Sequence, residues 1–75
     1  MTLVIEKYIA KEETQTATIE IEKFSSVYKL VICQYFRSDP DRAYPVRKSY
    51  YSTVKAAQQA LKRYGYRYGI TWSKQ

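Results

Sequence analysis

The hydrophobic period of this chain changes once, at Ser52. Before that point apolar and β-branched residues recur at every second position. After it they recur at helical spacing. A period of two lays one side of a strand against a core, and a period of 3.6 does the same for a helix. One switch therefore means strands first and a single helix afterwards. Thr16-Ala17-Thr18-Ile19-Glu20-Ile21-Glu22 is the cleanest strand: Ala17, Ile19 and Ile21 face one way, the threonines and glutamates the other. That pattern marks a half-buried antiparallel strand. Leu3 to Ala10 is also strand-like, and the polar Lys11-Glu12-Glu13-Thr14 between them forms a solvated hairpin loop. No glycine precedes Gly65, so that loop takes a longer or type I turn.

Ser25-Ser26 breaks the pattern, and Tyr28 to Arg37 follows with apolar residues on both faces, as in a central strand. Ser38-Asp39-Pro40-Asp41 reads as a turn, because proline presets φ and aspartate bonds nearby amides. Tyr44 to Tyr51 is the fourth strand, with Tyr44, Val46 and Tyr50 opposed to Arg47, Ser49 and Tyr51; Pro45 belongs near its start or on an edge. Val54, Ala57, Leu61 and Tyr64 then form one helical stripe with Ala60 beside it, N-capped by Ser52 or Thr53 and C-capped at Gly65. The order predicts an α+β fold over residues 1–75 as one domain. It is an antiparallel four-stranded β-meander followed by one C-terminal helix packed on the sheet, ββββα. Residues 66–73 are left open between a short fifth strand and an extended segment packing back.

Charge is divided as sharply as periodicity. Residues 1–23 carry Lys7, Lys11 and Lys23 against Glu6, Glu12, Glu13, Glu20 and Glu22. Residues 24–75 carry ten Lys or Arg against Asp39 and Asp41, a balance of +8 in a chain of net +6. Eight of the nine tyrosines lie in that second part. A cationic surface attracts polyanions, and rings among the cations stack on unpaired bases. Leu30, Ile32, Phe36, Val46 and Tyr50 are expected to face the helix. The opposite sheet face then shows Lys29, Tyr35, Arg37, Arg47 and Tyr51, with Val31 and Cys33 between them.

Catalysis is not expected. Histidine, the usual general base, is absent, and the glutamates sit on a loop and a solvated strand face. Cys33, alone and mid-strand, reads as a buried, inert thiol. It excludes an internal disulfide and, with no histidine, a zinc site. No metal or cofactor is implied. No stretch approaches the ~20 apolar residues of a membrane span, and no signal peptide is legible, so the expected location is cytoplasmic.

The expected function is sequence-tolerant binding of single-stranded DNA or RNA. Lys29, Arg37, Arg47 and Lys48 would hold phosphates, Tyr35 and Tyr51 would stack on bases, and Arg67 would do either from the Tyr64-Gly65-Tyr66-Arg67-Tyr68-Gly69 run. A second basic group, Lys55, Lys62, Arg63 and Arg67, is expected on the outer side of the helix and just beyond its end. The architecture resembles that of small single-strand binders built from a basic sheet and a helix. It shares part of its order with the three-strand-plus-helix domains of integrases, which read duplex DNA. The alternative is a protein–protein interaction module or obligate homodimer with the tyrosine-rich surface as its interface.

Overall fold

A computed structural model describes residues 2–22 and 26–75; Ser25 of the expected Ser25-Ser26 break lies outside them. Strands β1 (Thr2–Ala10), β2 (Gln15–Glu22), β3 (Tyr28–Phe36) and β4 (Asp39–Tyr51) precede one helix, α1 (Val54–Tyr68), and a three-residue strand β5 (Trp72–Lys74). The sheet is antiparallel, in the order β4-β3-β2-β1-β5. The meander and its C-terminal helix are those the period switch predicts.

The helix lies on one sheet face. Ala17, Ile19, Leu30 and Ile32 from β2 and β3 meet Ala57 and Leu61 from α1, all buried. Tyr8, Tyr28, Tyr51, Tyr64 and Trp72 ring this small centre. A domain of this size buries only about 60% of its unfolded surface, so those aromatic bodies form a large part of the core. Thr53 is the N-cap, its Oγ1 accepting from the Ala56 N–H at 3.1 Å. That bond satisfies one of the donors a helix start leaves open.

The C-terminal end differs from expectation. Gly65 does not cap the helix; it is buried inside it, and the cap is Gly69, left-handed at φ 67°. The N–H groups of Gly69 and Ile70 both donate to the Gly65 carbonyl. A side chain at Gly65 would come within 2.6 Å of the Ile70 carbonyl oxygen and 3.0 Å of the Trp72 ring. Glycine is required there for close approach of the returning tail, not for a turn. Tyr66 and Tyr68 are consequently helical, and the fifth strand shrinks to residues 72–74, pairing Trp72 with Ala10.

Register shifts redirect the strands, one of them between Gln34 and Phe36 at the turn end of β3 and β4. In β4, Ile32 pairs with Arg47 but Cys33 pairs with Pro45, so Val46 is an extra residue. In β1, Val4 pairs with Glu20 but Glu6 pairs with Ile19, so Ile5 is extra. A one-residue bulge reverses the in-out sense of everything on its far side. Arg47, Ser49 and Tyr51 therefore share the helix side with their partners Ile32, Leu30 and Tyr28. Lys48 and Tyr50 go to the open face, and Phe36, Val46 and Tyr50 are exposed rather than core. The β3–β4 turn is also tighter than expected. Phe36 pairs with Asp39 across Arg37-Ser38 alone, which puts Asp39, Pro40 and Asp41 inside β4.

Candidate functional site

The β4 bulge splits the expected binding platform between two faces. Lys29, Tyr35 and Lys48 share the face away from the helix. Arg47 and Tyr51 lie on the helix side with Arg67, and Arg37 projects from the β3–β4 turn.

On the open face, successive cross-strand rows read Thr16-Cys33-Pro45, Thr18-Val31-Lys48 and Glu20-Lys29-Tyr50. Lys29 stands opposite Glu20, a cross-strand pair of opposite charge. The Tyr35 hydroxyl shares a hydrogen bond of 3.2 Å with Thr16 Oγ1. Burial, reinforced by Glu20, pushes the Cys33 thiol up against the opposing effect of Lys48. A thiol shifted that way is a poor nucleophile at neutral pH.

The helix side holds a more concentrated arrangement. A cleft of about 190 Å³ between β4 and the C-terminal half of α1 is lined by Arg47, Tyr51, Ala60, Arg63, Tyr64, Arg67 and Tyr68. Strand β4 supplies Arg47 and Tyr51 because the bulge turns them inward. The helix supplies Arg63 and Arg67, and Tyr64 and Tyr68, each pair four residues apart and so stacked on one surface. The Arg47 guanidinium lies 5.9 Å from the Tyr64 ring centroid, and that of Arg67 lies 5.6 Å from the Tyr68 ring. The two rings are 4.6 Å apart, inclined at 46°. Arg47 Nε also donates to Ser49 Oγ. The result is a ladder, Arg47-Tyr64-Tyr68-Arg67, with Arg63 beside it.

No carboxylate lines the cleft, and among the described residues none pairs with its three guanidinium groups. Basic side chains do suit the negative end of a helix dipole, which accounts for Arg67 in the last turn. It does not account for a third cation brought in by a different strand.

Tyr51, Arg47 and Arg67 were legible as candidates, but Tyr64, Tyr68 and the placement of Arg63 were not. The signal was present in the i, i+4 repeats of arginine and tyrosine, which form one face only if the helix continues through Gly65.

A separate polar cluster lies under α1 near the opposite edge of the sheet. The β1 bulge turns Glu6 beneath the helix, where its side chain is 9% exposed. It accepts hydrogen bonds from the Tyr8 hydroxyl and Gln58 Nε2, and Lys74 Nζ approaches to 3.8 Å. Burial, then the Glu6 hydrogen bond and charge, push the Tyr8 phenol up to about 12. The cluster links β1, α1 and β5 rather than facing the cleft. Among the described residues no group of three or more His, Cys, Asp or Glu gathers as a metal site would require, and no helix is long and apolar enough to cross a membrane. No protein family, curated protein or solved structure matches this chain.

Proposed function

We propose that this protein binds single-stranded nucleic acid with little sequence preference, through the cleft between β4 and α1. Arg47, Arg63 and Arg67 hold phosphate, and the exposed ring of Tyr68 offers a face to an unpaired base. The observation that carries the reading is three guanidinium groups without carboxylate partners converging on a cleft walled by tyrosines. Backbone neutralisation with aromatic stacking is the minimum equipment of a single-strand binder. Guanidinium groups meet phosphate through paired N–H donors, and every base presents a ring face, so neither contact selects a sequence. We read the site as one of binding rather than catalysis, since its polar lining is arginine and tyrosine without carboxylate or histidine.

Fluorescence anisotropy with labelled single- and double-stranded oligonucleotides tests this. With three phosphates engaged, log K falls against log salt with a slope of about −2. Arg63→Ala flattens that slope by about 0.7 for every sequence, as loss of one phosphate contact requires. Tyr68→Ala costs about 1–3 kcal/mol with little change in slope, because stacking releases few counterions. Tyr68 is 57% exposed, so its removal leaves the fold intact. Absence of binding by micromolar protein at low salt overturns the proposal.

A further inference from the structure

Within that reading, and resting on it, the cleft favours one part of a strand. We infer that it takes a terminal phosphomonoester rather than an internal phosphodiester. An internal diester carries one negative charge and two free oxygens. A monoester carries about −1.5 to −2 at neutral pH and three acceptor oxygens. The cleft presents three guanidinium groups from two elements, Arg47 from β4 on one side and Arg63 and Arg67 from α1 on the other. A strand bound through its interior shares these cations among successive singly charged phosphates, whereas a terminal monoester brings about twice the charge and a third acceptor oxygen to them, so the diester is the poorer match. Each guanidinium has five N–H donors and no acceptor, so the mismatch cannot be relieved within the cluster. The nearest carboxylates do not help, since none lines the cleft.

Arg47 and Arg67 are also held in place before any ligand arrives. Each lies over a tyrosine ring, and Arg47 is bonded to Ser49 as well. Stacking engages the face of a guanidinium and leaves its N–H edge free to donate in plane. Restrained donors of this kind give up less side-chain freedom on binding than solvated ones. Tyr68, exposed beside Arg67, is placed for the base of the terminal nucleotide.

The test compares one oligonucleotide sequence carrying an internal fluorophore and ending in a 5′-phosphate, a 3′-phosphate or hydroxyls only. A phosphoserine peptide serves as a fourth probe. One phosphorylated end is expected to bind about tenfold or more tightly than the hydroxyl-ended strand, as one added charge-assisted contact provides. That advantage shrinks as pH falls below about 6, where the monoester takes up its second proton. Arg63→Ala is expected to weaken all three strands and the phosphorylated one most, so that its advantage shrinks severalfold, and circular dichroism checks that the variant is folded. Equal affinity for all three strands overturns the end-recognition inference and leaves the nucleic-acid reading standing. Binding of no strand overturns both. Binding of the phosphopeptide alone assigns the cleft to a phosphorylated protein and likewise overturns both.

Discussion

Gly65 shows how one residue can couple three parts of this chain. Glycine inside a helix costs about 1 kcal/mol relative to alanine, so a buried one at this position needs a reason. The reason is the tail: Ile70 and Trp72 approach the helix backbone so closely that a single methyl group would collide with both. Gly65→Ala is therefore expected to destabilise the protein by about 1–2 kcal/mol, overpacking outweighing the gain in helix propensity. Denaturant unfolding measures the loss, and the Trp72 indole resonance reports whether the tail has lifted. An alanine variant at least as stable as the parent would show that the tail does not depend on that close approach. The same residue hid part of the site from sequence reading. In a short chain a glycine after a helical stripe looks like a stop. Only the contact with residues distant from that turn reveals a helix that runs on to Tyr68 and carries Arg67 and Tyr68 into the cleft.

At the scale of elements, the strands and helix were legible because period is a local property, while the facing of β1 and β4 was not. Ala17 and Ile19, Leu30 and Ile32, and Ala57 and Leu61 fall on the core faces their spacing predicts. Beyond a bulge the same reasoning reverses. Arg47 and Tyr51 were expected opposite the helix and lie beside it, and Glu6 is tucked beneath the helix by the corresponding device in β1. Nothing in the composition of Val46 or Ile5 announces the extra residue; register is decided by the neighbouring strand. The Glu6 cluster gives β1 a measurable signature. The folded state holds the Tyr8 proton up to about pH 12 rather than the ordinary 10. The unfolded chain releases it first, so this contribution to stability is full below pH 10 and is lost as pH rises toward 12. Denaturation midpoints measured across that window are expected to fall, and Tyr8→Phe to flatten the fall. An unchanged pH profile in the variant would mean that the folded phenol is neither desolvated nor held by Glu6.

For the whole molecule the remaining question is whether the uncovered sheet face or the outer edge receives a second copy, as the interaction-module reading requires. Antiparallel sheets commonly leave one face to water, and this one is built for it: Lys7, Lys29 and Lys48 rise from it with Thr16, Thr18 and Glu20 between them. Val4, Ile9, Val31, Cys33 and Tyr50 also lie on that face, but the charged and hydroxyl side chains interrupt them, unlike the continuous apolar centre of an obligate interface. The β4 edge is blunted in the usual ways. Pro40 and Pro45 offer no N–H to a neighbour, and Arg42, Arg47 and Lys48 would repel the same strand of another copy. The protein is therefore expected to remain an 8.9 kDa monomer by light scattering through a hundredfold dilution, with its cleft open to solvent. Added salt should leave that monomer unchanged while weakening its hold on a strand, since only the latter releases counterions. A dimer that persists on dilution and ignores salt would have the opposite meaning. Its aromatic surface would already be occupied, and the tyrosines of β4 and α1 would then be interface residues rather than a stacking surface.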